Sequence, residues 1–336
     1  MGSFLPAISL AIVHIAGDNA GVVPDAAAAS GADVYLVTVL AYMVLGTIIT
    51  AVCAWIGACS GFELGVLTRR IFGCSGKKML AVAILVISIP ASALTGGYFS
   101  GWLVHNLTGL PYAVAAFGCL ALFSLLAAGY FDDVLTLASY GSLLFVPIVI
   151  LLFLGGGRPP AIPSFANTSI DWALVLALLA YNAGGMRPIL VTEAAACLAK
   201  RGRPAVVVSI AAKMVEGLVT LAMAGLVIAA GTEGPLAISV AATNYLGPVG
   251  GLLFDCSLLC VFLTAMAPAM MVNARQTASL TGLGFWPSLI TAALAVYLVN
   301  CIEYFTLLSI MGGTGFLMMG FIVYTAYVLY KQRRKQ

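Results

Sequence analysis

Long apolar segments make up almost the whole sequence, and this pattern constrains the fold more than any other feature. Of the 336 residues, 62% are hydrophobic and only 8% are charged, whereas a soluble domain carries about a quarter charged residues. A helix of about 20 apolar residues spans the hydrocarbon layer of a bilayer. The chain is therefore predicted to be an all-α polytopic membrane protein, a single domain (1–336) with ten transmembrane segments at residues 4–28, 34–58, 79–104, 111–129, 134–155, 172–198, 204–230, 248–272, 284–302 and 305–331.

The basic residues predict how these segments are oriented, because Lys and Arg accumulate in cytoplasmic loops. With the N-terminus inside, twelve of the fifteen basic residues fall in cytoplasmic loops or in the C-terminal tail. The opposite loops hold only Arg158. Both termini are therefore predicted to be cytoplasmic, and the short loops indicate a prokaryotic protein of the cytoplasmic (inner) membrane. The loop between segments 7 and 8 also contains a short amphipathic stretch, which predicts a helix lying over the external mouth.

Soluble-enzyme and nucleic-acid functions find no support in the sequence. It contains no P-loop, no GxGxxG loop, no nucleophile motif and no nucleic-acid-binding motif. We therefore expect no enzyme activity, no covalently bound cofactor and no nucleic-acid partner. The expected partners are the lipid bilayer and a small-molecule or ion substrate, and the sequence does not indicate an oligomeric state.

Two segments are interrupted by glycine and proline in the same way. Segment 1 contains "GDNAGVVP", with Asn19-Ala20-Gly21 followed by Pro24, and segment 6 contains "YNAGGMRP", with Asn182-Ala183-Gly184 followed by Pro188. Gly lowers helix stability and Pro lacks a backbone donor, so both favour an unwound point. Unwound backbone is tolerated in a membrane only where protein buries it or where it lines a cavity.

The positions of these interruptions predict an internal repeat. The two Asn-Ala-Gly tripeptides are 163 residues apart, close to half the chain, and the predicted topology runs segments 1 and 6 in opposite directions. Two five-helix halves that each begin with a broken helix are typical of inverted-repeat transporters. Repeat one is predicted at about 4–155 and repeat two at about 172–331.

These features resemble the LeuT fold, the five-plus-five inverted repeat of the amino acid–polyamine–organocation superfamily. Within it, the chain resembles the YkvI-type membrane proteins in its length, its glycine-rich first helix, its "AYN…PIL" sixth helix and its Thr-bearing eighth helix. The resemblance covers nearly the whole chain and implies a secondary transporter. The chain departs from the family at Asp18, because the family's first-helix motif has no acid there, so the family's substrates are not carried over.

The substrate site is predicted between the two breaks. An ionised carboxylate deep in a membrane requires a cationic partner, so Asp18 favours an amine group, a bound ion, a proton or a structural pair with a base such as Arg187. The same region holds polar, aromatic and small residues, and the predicted substrate-binding set is Asp18, Asn19, Gly21, Tyr181, Asn182, Gly184 and Met186. For Asn19, Asn182 and Tyr181, ordinary helix packing is the alternative.

Other polar residues suggest ion coupling and gating. The resemblance places Thr264 near the sodium site that LeuT-fold symporters build from segments 1 and 8, although the second hydroxyl of that site is absent. His14 and Asp255 are further candidates for ion or proton coupling, to Na⁺ or H⁺. Arg187 and Glu193 are candidates for an inner gate. Lys213 and Glu216, three residues apart in segment 7, are expected to form a structural ion pair.

The predicted function is thus an ion-coupled secondary transporter of a small amine-bearing or zwitterionic solute such as an amino acid. The alternative is a divalent transition-metal transporter, because Asp18, Asn19 and Met186 are similar in composition to the metal site of NRAMP-type carriers. Oxygen ligands with a thioether suit a transition metal. The adjacent Asp and Asn, with no proline between them, depart from the NRAMP spacing.

Overall fold

The computed structural model describes residues 19–30, 32–62, 64–130, 132–155, 172–184, 187–196 and 202–334. The described residues form α-helices and a π-helical segment joined by turns. In chain order the helices are α1 (Asn19–Ser30), α2 (Ala32–Ser60), α3 (Leu64–Ser92), a π-helix (Ala93–Phe99), α4 (Ser100–Thr108), α5 (Tyr112–Ala127), α6 (Asp132–Gly155), α7 (Trp172–Gly184), α8 (Arg187–Ala196), α9 (Gly202–Ala230), α10 (Ala237–Thr281), α11 (Phe285–Val299) and α12 (Tyr304–Arg333).

Several of these helices match the length that a bilayer requires. Five in the described part are long and apolar enough to cross a membrane: Met43–Ser60, Leu64–Thr108, Arg203–Ala230, Ala237–Thr281 and Thr306–Arg333. Three shorter apolar helices accompany them, at Tyr112–Ala127, Trp172–Tyr181 and Phe285–Val299. The prediction of an all-α membrane protein is confirmed, whereas the number of ten crossings stays a prediction.

One predicted loop is helical, and one predicted short helix is joined to the segment that follows it. The basic stretch after segment 2 belongs to α3, which bends at Gly73 (φ 72°, ψ −167°), and the stretch before segment 8 belongs to α10, which bends at Gly247 (φ 71°, ψ 177°). Positive φ is strained for residues with a Cβ, so glycine permits each bend. Because helix continues on both sides, hydropathy alone placed these boundaries wrongly. The short helix expected between segments 7 and 8 is confirmed as the first part of α10.

Helix contacts come in matching pairs. Helix α2 packs on α8, and α9 packs on α1. Helix α6 packs on α10, and α12 packs on α3. The predicted inverted repeat makes segments 1, 2, 3 and 5 the counterparts of segments 6, 7, 8 and 10. Replacing each segment by its counterpart converts the α2–α8 contact into the α9–α1 contact, and the α6–α10 contact into the α12–α3 contact.

Small residues let some helices approach closely. A Cβ on Gly312 of α12 would lie 2.7 Å from the Ala177 Cα of α7, and one on Gly315 would overlap the carbonyl oxygen of Ala180. Small residues at such spacing bring helix backbones together in membranes. The α7–α12 contact therefore depends on the absence of side chains at two positions of α12.

A buried polar cluster joins α3 to α10. The Ser88 hydroxyl hydrogen-bonds the Asn273 side-chain oxygen, and the Asn273 amide donates to the Ser92 hydroxyl at 3.0 Å. All three side chains are fully buried. Buried polar groups need such partners, particularly within a bilayer, so this cluster fixes α3 against α10.

Candidate functional site

An aromatic layer covers α1, which is helical from Asn19 and contains Pro24, so an unwound point expected over Asn19–Pro24 is not found in that part of segment 1. The Phe99 ring packs on Gly21, where a Cβ would lie 2.7 Å from the ring carbons. The Tyr304 hydroxyl donates to the Val22 carbonyl at 2.9 Å. Tyr98 and Phe99 pack on the Tyr304 ring, with centroids 5.8 and 6.2 Å apart. We call Tyr98, Phe99 and Tyr304 the aromatic layer.

A cavity of about 860 Å³ lies beside this layer. Its lining includes three carboxylates, those of Asp25, Glu233 and Glu303. Aromatic rings supply much of the remaining wall, from Tyr98, Trp102, Tyr112 and Tyr304. We call this space the acidic cavity. It is large enough for a drug-sized molecule, since ligand pockets measure about 300–1,000 Å³.

The position of the acidic cavity follows from α12. This 30-residue helix begins at Tyr304, in the cavity wall, and ends at Arg333. At 1.5 Å per residue it is about 45 Å long. The cavity therefore lies at one end of α12, and the basic C-terminal residues of α12 lie at the other end.

Asp25 joins α1 to the start of α10. Its Oδ2 accepts the Leu236 N–H at 3.1 Å and its Oδ1 accepts the Ala237 N–H at 3.0 Å. Leu236 has a left-handed backbone (φ 57°) and its side chain makes no capping hydrogen bond. The first N–H groups of a helix have no partner within the helix and favour a negative charge. Asp25 thus caps α10 from another segment of the chain.

Asp255 makes a second contact with the start of α10. It is buried, and Ser239 in the first turn of α10 hydrogen-bonds its carboxylate. Its Oδ1 makes no hydrogen bond to a described residue. Asp255, predicted as a coupling residue, therefore joins the part of α10 after the Gly247 bend to the first turn of the same helix.

Two predicted substrate residues lie next to the same buried cluster. Tyr181 of α7 is buried in one core cluster with Val22 and Phe99, and Phe99 also packs on Gly21. A substrate site between segments 1 and 6 stays a prediction. Whether Tyr181 contacts a substrate stays a prediction.

The other described candidates lie elsewhere. Thr264 donates within its own helix, to the carbonyls of Cys260 at 3.1 Å and Val261 at 2.9 Å, which leaves its oxygen lone pairs as the acceptor. Thr264 is nine residues from Asp255, about 14 Å along a helix, so the two do not share one site. Glu193 is half-buried on α8, which packs on α2.

Several predicted site residues lie outside the described residues. His14, Asp18 and Met186 are among them, and for Asn19, Asn182, Gly184 and Arg187 the description is limited to their place in the helix bounds. Within the described residues no group of three His, Cys, Asp or Glu side chains is placed to hold a metal. Since Asp18 and Met186 lie outside them, the metal alternative stays a prediction.

Sequence reasoning missed the acidic cavity. Asp25 lies seven residues after Asp18, two helical turns onward, and this spacing of two acids on one apolar segment was an available signal. The aromatic residues Tyr98, Trp102 and Tyr304 carried no such signal, because they are ordinary in membrane helices. Their grouping depends on contacts between segments that are distant in sequence.

Comparison with known proteins identifies the fold. No family model matches the chain, and no curated protein sequence matches it. Among solved structures, the inward-facing conformation of Mhp1 matches with a TM-score of 0.61 and 16% identity over 87% of this chain and 69% of that one.

A second Mhp1 structure matches equally well. It shows that protein, a nucleobase-cation-symport-1 family transporter, in a closed conformation with bromovinylhydantoin bound, and it matches with a TM-score of 0.62 and 14% identity over 87% of this chain and 70% of that one. This chain therefore has the LeuT-like fold of Mhp1. The predicted fold class is confirmed to this extent.

Proposed function

We propose that the protein is an ion-coupled secondary transporter that works by alternating access. The observation that carries this proposal is the Mhp1 fold, which extends over most of the chain. At the present identity this match concerns the fold, so substrate and coupling ion must be argued separately. The YkvI-type resemblance of segments 1 and 6 points to the same general function.

Paired helix contacts support the inverted repeat that this mechanism uses. We propose two five-helix halves, at about 4–155 and 172–331, with ten crossings and with segments 1 and 6 broken. The α2–α8 contact then corresponds to α9–α1, and α6–α10 corresponds to α12–α3. Alternating access in such folds moves one bundle relative to the other around a fixed site. Both termini are cytoplasmic in this proposal, which places the acidic cavity on the outer face.

The substrate we propose is a small amine-bearing or zwitterionic solute such as an amino acid. It binds between the centres of segments 1 and 6, near Gly21 and Tyr181, with Asp18 facing the amine. Helix-end dipoles at breaks of this kind suit a carboxylate. A nucleobase-like heterocycle is a second candidate, since Mhp1 is named a nucleobase-cation-symport-1 transporter and one of its structures holds bromovinylhydantoin.

Coupling to Na⁺ or H⁺ supplies the driving force. The family name of Mhp1 refers to cation symport, and Thr264 is buried on α10 with its hydroxyl oxygen available as an acceptor. His14 and Asp255 are the candidates for a proton path. A divalent transition metal held by Asp18, Asn19 and Met186 remains the alternative cargo, with Arg187 and Glu193 forming the inner gate in either case.

A two-stage experiment tests this proposal. Thermal unfolding of the purified protein is first measured with amino acids, amines, nucleobases and hydantoins, and with Mn²⁺ or Fe²⁺, each with and without Na⁺. Uptake of the best ligand is then measured in proteoliposomes with a Na⁺ gradient, with a pH gradient and with neither.

The outcomes separate the candidates. Gradient-driven uptake of an organic solute that is lost in Asp18→Asn supports the proposed site. Stabilisation and uptake restricted to the metals would replace it with the metal alternative. Uptake that Asp18→Asn leaves unchanged would remove Asp18 from the mechanism, and absence of gradient-driven accumulation for every stabilising ligand would count against a secondary transporter.

A further inference from the structure

The acidic cavity combines negative charge with aromatic surface. Its three carboxylates face a space whose described lining contains no lysine, arginine or histidine. One ion pair in the described part of the chain joins Lys213 to Glu216, and neither residue lines this cavity. The carboxylates therefore have no basic side chain of the described region to neutralise them.

The three carboxylates differ in the number of hydrogen bonds that they accept from the protein. Asp25 accepts two backbone N–H groups, and Glu303 accepts the Thr306 hydroxyl at 2.8 Å through Oε2. Glu233 is exposed and lies in the turn before α10. Glu233 and Glu303 are thus the carboxylates with oxygens available to a ligand, whereas both oxygens of Asp25 bind the start of α10.

Aromatic rings form an ordered wall opposite these groups. Trp102 and Tyr112 pack with ring centroids 5.1 Å apart, and His105, outside the lining, packs on the other edge of Trp102. The Asn300 amide donates to the Tyr112 hydroxyl at 3.0 Å. These contacts hold the rings in place without a ligand, and a preorganised wall reduces the entropy lost on binding.

We propose that the acidic cavity binds an organic ammonium ion. Aromatic faces attract cations that lie within about 6 Å of the ring centroid. Carboxylates add attraction that a neutral molecule of the same shape does not feel. A quaternary ammonium suits such a site because it has no N–H group that requires a hydrogen-bond acceptor. Its methyl groups pack on the aromatic rings.

This site is separate from the proposed central one. The described lining of the acidic cavity includes neither Gly21 nor Tyr181, which lie beside Phe99 in the buried cluster. Binding at the cavity requires neither transport nor an ion gradient. The inference therefore goes beyond the proposed transport function and is tested by binding alone.

The test uses choline as the probe and 3,3-dimethylbutan-1-ol as its uncharged isostere, titrated into the purified full-length protein by calorimetry. Saturable binding of choline, with binding of the alcohol at least about tenfold weaker, is expected because charge is the difference between them. Equal binding of both compounds, or no choline binding, would overturn the proposal.

Variants locate the bound ion. Glu233→Gln combined with Glu303→Gln is expected to weaken choline binding about tenfold, and both side chains are exposed, so folding is preserved. Trp102→Leu is expected to weaken it similarly, whereas Trp286→Leu, in a separate apolar groove, serves as the matched control.

A different pattern would place the ion elsewhere. Choline binding that Asp18→Asn abolishes and that the double glutamate variant leaves unchanged would locate it at the central site and overturn the proposal. If Trp102→Leu reduces binding no more than Trp286→Leu does, the aromatic wall is not part of the site and the proposal also fails.

Discussion

The Tyr304 hydroxyl donates a hydrogen bond of 2.9 Å to the main-chain carbonyl of Val22. This bond joins α12 to α1 across 282 residues of sequence, at the floor of the acidic cavity. In the proposed repeat the two helices belong to different halves of the molecule. Movement of one half relative to the other would have to break or displace this bond.

Tyr304→Phe removes that bond and keeps the ring. We expect a loss of about 1 kcal/mol in the free energy of unfolding, the usual net contribution of a hydrogen bond, measured by thermal or denaturant unfolding in detergent. Tyr327→Phe, exposed on the same helix, is the control. Equal stability of the two variants would show that the bond contributes nothing measurable.

Asp25→Asn tests the cap on α10. An amide presents only one acceptor oxygen, so one of the two N–H groups of Leu236 and Ala237 loses its partner, and the negative charge at the helix N-terminus is lost. We expect destabilisation of about 1–3 kcal/mol. Glu233→Gln, exposed in the adjacent turn, should stay within about 0.5 kcal/mol of the parent protein. A change no larger than this in Asp25→Asn would contradict the cap.

Gly315→Ala tests the close approach of α12 to α7. The added methyl group would overlap the Ala180 carbonyl oxygen, which is backbone and cannot rotate away. Overpacking of this kind costs about 1–3 kcal/mol, which we expect as a lower unfolding temperature.

Gly313→Ala provides the matched control on the same helix. A Cβ there meets no atom within 4 Å, and replacing a helical glycine by alanine stabilises by roughly 0.5–1 kcal/mol. The two substitutions should therefore have opposite signs. The close-approach interpretation is wrong if Gly315→Ala is as stable as Gly313→Ala.

The Lys213–Glu216 pair is open to a double-mutant cycle. The predicted pair is confirmed, with Nζ 3.0 Å from Oε2 and side chains 0% and 4% exposed. Lys213→Met or Glu216→Leu alone leaves a buried charge without this partner and should cost about 3–5 kcal/mol.

Combining Lys213→Met with Glu216→Leu removes both charges. We expect the double variant to be more stable than either single variant, because burying two neutral side chains carries no charge desolvation. Additive losses in the unfolding free energies would show instead that each residue acts through separate partners.

Most of the helices could be predicted from the sequence. Segments 2, 7, 9 and 10 correspond closely to α2, α9, α11 and α12 because a bilayer forces every backbone polar group to be satisfied within its own helix. The starts of α3 and α10 were not readable in this way. Glycine at 73 and 247 turns the chain while helix continues on both sides, and polar residues at such places resemble a loop.

The candidate site was only partly readable. Gly21 and Tyr181 were named from the two interrupted segments, and they lie around one buried cluster with Phe99. Asp255 was also named, but its hydrogen bond with Ser239 in the first turn of α10 was not foreseen. Asp25 was missed although its spacing from Asp18 was an available signal, and its contact with the start of α10, 211 residues away, had no signal in the sequence.

The sequence by itself determined that this chain is an all-helical membrane protein, because helix formation and burial in lipid depend on neighbouring residues and on composition. Only the tertiary structure decided where its charges meet. Asp25 reaches Leu236 across 211 residues, and Tyr98, Trp102 and Tyr304 come from the π-helix, α4 and α12. Such groupings depend on the packing of whole helices, so a single stretch of sequence, such as the one with Asp18 and Asp25, indicates at most one of the groups that line the acidic cavity.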